Sequence, residues 1–296
     1  MTVKTGTILL ATLKNIRSEN LNRGMIGFAF KRQLAPVLPE QIRLFAEATR
    51  DMNPLYFGDR PIAPPFFLSC LIWDHIKQIL VHPDLRLNFF RLVHAEQKVS
   101  WHAPIYAGED LCAKIGIKDI VETGAGQMLQ ISGAVYKADG VMAAEATAGL
   151  MIRKKSGSGK RAHTAGAAGT QPAESARLEI KTEKGQNLEY AGASGDTSFI
   201  HTSDFLARLT GLPCAIMHGI CLLSMACAAF TREFLNGDVT RLTGASARFS
   251  RPAIPGDTLT LVCSEGPAGE VPFSAVNESG KTVLSKGTIT YARSDI

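Results

Sequence analysis

The segment from Tyr190 to Phe230, YAGASGDTSFIHTSDFLARLTGLPCAIMHGICLLSMACAAF, holds the residues best suited to chemistry. An acid, Asp196, stands five residues before a base, His201. A second histidine, His218, directly precedes Gly219 and a long apolar run. An imidazole with an ordinary pKa near ~6.5 takes and gives protons at neutral pH. A carboxylate beside it can share the same water, and exchanges a proton itself if its surroundings raise its pKa. A glycine opening a buried helix leaves an orphan N–H pointing outward with the helix dipole behind it, and lets a carbonyl come close. Acid, base and donor in this order suggest polar chemistry beside an apolar tunnel.

Each residue also has a plainer role. Asp196 suits an Asx turn after Gly195, His201 can be structural, His218 can cap a helix, and Asp204 suits a helix N-terminus. The joint spacing, with Tyr190, Ser194 and Ala207 in place, favours catalysis for Asp196 and His201. His75, His82, His94 and His102 show no ligand spacing, so no metal site is expected. No cofactor motif stands out; Met217, Met225 and the surrounding apolar run read as core.

The elements that must position these residues can be followed along the chain. Weak strand character at Thr7–Leu13 and around Met25–Phe30 precedes a helix start at Pro39, with Ile42, Phe45, Ala46 and Thr49 on one face. Asp51–Tyr56 is a turn. FFLSCLIWDHIKQIL is apolar almost all round over its first three turns and reads as a buried helix. From His94 the pattern is β, with a hairpin at Ala138-Asp139-Gly140. Residues 154–175 are rich in Gly, Ala, Ser and Thr and read as a linker. Beyond it come a strand, a short helix with Thr182 as N-cap, the Asp196–His201 turn, a short helix ending near Gly211, and a long helix from His218. A meander from Val239 to Arg293 turns at Glu278-Ser279-Gly280.

The chain repeats itself. WHAPIYAGEDLCA (101–113) aligns with SRPAIPGDTLTLV (250–262), and ATRDMNPLY (48–56) with ASGDTSFIH (193–201). Asp51 falls over Asp196 and Tyr56 over His201, while only Pro64-Pro65 stands near the place of His218-Gly219. Each half is helix, turn, buried helix, then antiparallel sheet, an α+β arrangement in which a sheet curls round a helix. Two copies side by side can share one sheet.

The bulk numbers fit. A chain of 296 residues, 45% hydrophobic and 20% charged, is globular and long enough for two domains. A net charge of +5 is too small and dispersed for nucleic acid. The basic cluster Arg153–Lys155 with Lys160 and Arg161 reads as solvated linker charge. Six cysteines without CxxC or zinc-finger spacing read as reduced thiols. No apolar run reaches the ~18 residues of a membrane span. The N-terminal apolar run is shorter than the roughly 7–15 residues of a signal h-region, so the expectation is cytoplasmic.

GDTSFIH, preceded by Tyr190 and Ser194 and followed by Ala207 and by MHG at 217–219, resembles the MaoC-like hydratase/dehydratase motif. Gly195, Asp196, Ile200 and His201 match that family, while Ser198 and Phe199 replace its Asn-Pro. The resemblance implies a double hotdog: an N-terminal degenerate domain (1–153), the linker (154–175) and a C-terminal catalytic domain (176–296). It implies reversible hydration of 2-enoyl thioesters, or dehydration of (R)-3-hydroxyacyl thioesters, carried on coenzyme A or acyl carrier protein. Asp196 and His201 would be the catalytic pair, with Gly219, Ser198 and His218 binding substrate, and the first half would make room for a longer or bulkier chain. A non-catalytic acyl-thioester binder and, further off, a hotdog thioesterase are the alternatives. The halves form an internal pseudo-dimer; a further homodimer is left open.

Overall fold

The computed structural model describes residues 5–154 and 173–293, so all but the ends of the expected linker lie outside the described residues. In chain order the elements are α1 (Thr5–Lys14), β1 (Ala29–Gln33), α2 (Pro39–Ala48), α3 (Leu68–Leu80), β2 (Leu92–Trp101), β3 (Leu111–Thr123), β4 (Gly126–Lys137) and β5 (Met142–Arg153). Then follow β6 (Glu174–Lys181), α4 (Gln186–Ser194), α5 (Phe199–Thr202), α6 (Asp204–Leu209), α7 (Gly219–Phe234), β7 (Leu242–Phe249), β8 (Thr258–Ser264), β9 (Glu270–Asn277) and β10 (Thr282–Tyr291).

The ten strands form one antiparallel sheet in the order β1-β3-β4-β5-β2-β7-β10-β9-β8-β6. The order is a palindrome: each strand of the first half has its counterpart at the mirrored place in the second. The halves join where β2 pairs with β7, from Glu96 opposite Arg248 to Ser100 opposite Gly244. This is the double hotdog with a continuous sheet. The aligned turns are also built alike. Glu109 Oε2 accepts from the Tyr106 N–H at 3.1 Å, and Asp257 Oδ2 accepts from the Ile254 N–H at 2.9 Å.

Helix α7 is the more deeply buried centre, with every residue from Cys221 to Cys227 buried. Leu222, Leu223 and Phe230 each contribute roughly 1.5–3 kcal/mol by burial. Helix α3 is less enclosed than its composition suggests. Leu68, Ile72, Ile76, Ile79 and Leu80 are buried, while Ser69, Trp73 and Lys77 are only half-buried. Two further expectations change. Thr5–Lys14 is helical rather than a strand, as its Leu, Ala and Lys content allows once no neighbouring strand pairs with it among the described residues. Thr182 does not cap α4, which starts after Gly185; its hydroxyl donates to the Asp257 carbonyl at 2.8 Å and accepts from the Gly256 N–H at 3.0 Å. No helix among the described residues is long and apolar enough to cross a membrane.

The halves differ where α2 and α4 end. Helix α4 closes on Gly195 at φ +75, the left-handed conformation glycine adopts without strain. Its counterpart Arg50 adopts φ +56, held there by ion pairs to Glu183 and Glu189, both at 2.7 Å, which also tie the two halves together. Beyond Arg50, Tyr56 donates its hydroxyl to Asp51 Oδ2 at 3.1 Å. Burial pushes the Asp51 carboxyl up to about 6, against the Tyr56 and Asn53 hydrogen bonds and Arg232.

A raised carboxyl pKa stabilises the fold below its ordinary value of 3.8, and that contribution is lost as pH rises through about 6. At neutral pH the buried carboxylate therefore costs about 3 kcal/mol, at ~1.4 kcal/mol per pKa unit. Asp51→Asn keeps an acceptor for Tyr56 and should stabilise the protein by about 1–3 kcal/mol at neutral pH, with no gain below about pH 4. Urea denaturation at the two pH values measures this; a loss of stability at neutral pH would contradict it.

Candidate active site

Four segments meet at the start of α7. Gly195 reverses the chain after α4 and delivers Asp196, whose N–H donates to Ser194 Oγ at 3.2 Å. Asp196 Oδ1 accepts from the Ser198 N–H at 3.2 Å and from its hydroxyl at 2.5 Å. The Asx turn is therefore real, and it occupies one carboxylate oxygen. No hydrogen bond reaches Oδ2 among the described residues.

Helix α5 then carries His201. Its Nδ1–H donates to the Ile216 carbonyl at 2.9 Å, which fixes the tautomer and leaves Nε2 with a free lone pair. The His201 backbone is held in turn: Asn187 Nδ2 donates to its carbonyl at 2.7 Å, and the Ile216 N–H donates to the Ile200 carbonyl at 3.0 Å. Asp204, at the head of α6, accepts from the Ala215 N–H at 2.8 Å and anchors the loop that supplies Ile216.

His218 precedes α7. Its Nε2–H donates to the Asp196 carbonyl at 2.9 Å, and its ring stacks on that of His201 at 3.8 Å, 22° from parallel. On its other side lies the Tyr190 ring at 4.7 Å. Its Nδ1 is buried and unpartnered. Asp196, His201 and His218 thus offer donor atoms within 4.8 Å of one another. A cation would have to lie in both imidazole planes to use both lone pairs, and stacked, near-parallel rings do not converge on such a point.

The electrostatics agree. Burial lowers the His201 pKa below its ordinary value, against the pull of Asp196 and the Ile216 bond. Burial and the neighbouring His201 hold His218 down at about 4. Both rings are neutral at neutral pH. Burial alone would raise the Asp196 carboxyl, but the two imidazoles and the Ser198 donors outweigh it and hold it below the ordinary value. The acid expected to rise is instead kept ionised.

These groups stand at one end of a cavity of about 340 Å³, within the ~300 Å³ and upward typical of small-molecule sites. The first half supplies much of its wall, including Ile72, Trp73, Ile131, Gly133, Ala146 and Ala148. All five expected site residues line it or adjoin it, but two are used differently. The Ser198 hydroxyl is turned to Asp196 rather than to the cavity. The side of Gly219 where a side chain would stand is filled by Phe249, whose ring atoms lie 2.7–2.9 Å from the position of a Cβ. Gly219 is thus needed for close packing as well as for a helix-start N–H. Sequence reasoning missed Trp73, His94 and Phe249 as wall residues. Their signal is not local, because only the β2–β7 pairing brings the first half to this site.

Comparison with known proteins agrees with this arrangement. Residues 165–283 match the model of the MaoC like domain, and residues 24–146 match that of the FAS1-like, dehydratase domain region. The chain belongs to the MaoC-like dehydratase family. That family is one of hydro-lyases. A relative, 3-hydroxyacyl-thioester dehydratase Y of Mycobacterium tuberculosis, is 29% identical over 218 residues, covering 68% of this chain and 72% of the relative. The crystal structure of a MaoC-like dehydratase from Phytophthora capsici superposes with a TM-score of 0.77 at 22% identity, covering 92% and 98% of the two chains. A Mycobacterium tuberculosis protein described as a double hotdog fold superposes with a TM-score of 0.58 at 14% identity, covering 90% and 96%.

The buried histidines make stability pH-dependent. A histidine whose folded pKa is lowered refuses protons that the unfolded chain accepts, so stability falls as pH drops from about 6.5 towards about 4. The expected slope is about 1.4 kcal/mol per pH unit for each such group. Urea titrations across this window should show it, and the double variant His94→Phe/His218→Phe should flatten it. An unchanged slope in that variant would assign the effect elsewhere.

Proposed function

We propose that the protein reversibly hydrates 2-enoyl thioesters and dehydrates (R)-3-hydroxyacyl thioesters, carried on coenzyme A or acyl carrier protein, in the cytoplasm. Residues 176–296 would be the catalytic hotdog domain, residues 1–153 its degenerate partner, and residues 154–175 their linker. The observation that carries the reading is the ionised Asp196 beside a neutral His201 with a free Nε2, at the head of an apolar cavity.

In this reading one water bridges the two groups, since two hydrogen bonds of about 2.8 Å span the distance between them. His201 Nε2 takes a proton from the water as its oxygen bonds to the β-carbon. The electron pair of the double bond moves to the thioester oxygen, where the Gly219 N–H and the α7 dipole stabilise it. The imidazolium then gives its proton to the α-carbon, and the enolate pair closes that bond. Water has added across one face, and the reverse sequence is dehydration. Asp196 accepts a hydrogen bond from the other O–H of the water, whose proton stays on the oxygen as the product hydroxyl, and stabilises the imidazolium. His218 fixes the Asp196 carbonyl and packs against the base. The apolar wall from the first half takes the acyl chain.

Hydration of crotonyl-coenzyme A, followed by loss of enoyl absorbance, tests the assignment. His201→Ala and Asp196→Asn should each lower kcat by about 10²–10⁴. The acid limb of kcat/KM should lie below the ordinary histidine value, because the free enzyme keeps His201 neutral there. Wild-type rates in His201→Ala would remove the base. Tight binding of enoyl thioesters without turnover would mark a binding protein, and release of free thiol would mark a thioesterase.

A further inference from the structure

The first half brings more than an apolar wall. Simple alternation along β2 would put Leu92, His94, Glu96 and Lys98 on one face. Against β5, however, His94 pairs with Leu150 and Glu96 with Gly149, so Ala95 is an extra residue. This bulge shifts the parity, and Leu92, His94, Gln97 and Val99 all line the cavity. Two polar side chains are thereby aimed into it. Trp73 on α3 lines the same cavity beside the Asp196 loop, its Cδ1 3.9 Å from the position of a Cβ on Gly195.

His94 Nε2 and Trp73 Nε1 are both buried, and neither has a hydrogen-bond partner. Buried polar atoms are nearly always satisfied, and two open in one cavity call for a ligand that satisfies them. The indole can only donate, whereas a neutral imidazole donates or accepts. Gln97 gives its amide N–H to the Lys98 carbonyl at 3.2 Å and makes a side-chain hydrogen bond with His94, which holds that ring while its Nε2 stays unpartnered. The His94 ring lies edge-on to Phe249 at 4.8 Å and is close enough to feel Asp196 and His201. A charged ligand group would be poorly tolerated among these apolar neighbours, while a neutral oxygen suits both a donor and an adaptable imidazole.

We propose that Trp73 and His94, the latter held by Gln97, form an oxygen-recognition subsite that selects acyl thioesters carrying a carbonyl or hydroxyl on the chain beyond the reacting carbons. The inference rests on the acyl-thioester reading of the cavity. A plain chain would leave the two ring nitrogens unpaired, which is how a polar site rejects an analogue lacking the matching group.

Calorimetric binding of decanoyl-coenzyme A is to be compared with that of oxodecanoyl-coenzyme A derivatives carrying the keto oxygen at successive chain positions. At least one oxo compound should bind the wild-type protein about 10-fold tighter or better. Trp73→Phe and His94→Phe should each bring that ratio towards about 1. Equal wild-type affinities across the series, or a preference that survives both substitutions, would overturn the subsite. If a variant does not fold, the wild-type series decides alone. Because saturated thioesters cannot be hydrated, the ratio is read independently of turnover. Hydration of crotonyl-coenzyme A with no oxo preference removes the subsite and leaves the hydratase. A preference without hydration removes the hydratase and leaves the subsite.

Discussion

The pairing of β2 with β7 is the constraint on which the rest of the molecule depends. It turns two curled sheets into one and sets the end strand of each half, β2 or β7, against the other half. A cavity at the start of α7 is therefore walled by β2, and a cavity at the start of α3 is walled by β7. Both exist. The second, of about 150 Å³, lies between Pro64-Pro65, Trp101–Ile105 and the Val239–Thr243 stretch. It is the mirrored counterpart of the large one, whose walls include Gly219, Phe249–Ala253 and Leu92–His94. The same fold rule makes both pockets, and side-chain size separates them.

The paired acids show how local surroundings, rather than position in the fold, set the chemistry. Asp51 and Asp196 occupy equivalent turns. Asp51 faces a tyrosine hydroxyl, which donates one hydrogen bond and no charge, and burial wins: its carboxyl rises to about 6. Asp196 receives two donors from Ser198 and faces two imidazoles, and burial loses. The two acids thus differ through several neighbours together: His218, His201 and Ser198 on one side, Tyr56, Asn53 and Arg232 on the other. Tyr56 is fully buried, so its position contributes packing to the first half.

Much of this was legible in the sequence because its signals are local. The Gly195 reversal, the Asp–His spacing and the glycine at the head of an apolar helix are all read within one segment, and the repeat doubled the evidence for the fold. What escaped reading depends on distant partners. Whether Asp196 is raised or lowered depends on His218, brought back by the 212–217 loop. The role of Gly219 depends on Phe249, thirty residues away in a strand. The orientation of His94 depends on a bulge that only the register against β5 reveals. Composition overstated the burial of α3, because an apolar helix facing a cavity looks the same in sequence as one facing a core.

The Ser198-Phe199 departure from Asn-Pro has a structural answer in the other half. There, Asn53 Oδ1 accepts from the Leu55 N–H at 3.1 Å and its amide reaches the Gly237 carbonyl at 2.6 Å, while Pro54 sets the following turn. The asparagine thus holds the loop from within. In the second half, the serine side chain is too short for that reach and bonds Asp196 instead. Asp196 Oδ1 accepts from the Ser198 N–H, as Asp51 does from the Asn53 backbone, and Phe199 starts α5 without a proline because the helix is anchored further on. Ile200 and His201 tie it to Ile216, and Thr202 Oγ1 donates to the Ser198 carbonyl at 3.3 Å. In return, Ser198 gives the acid two donors that favour its ionised form.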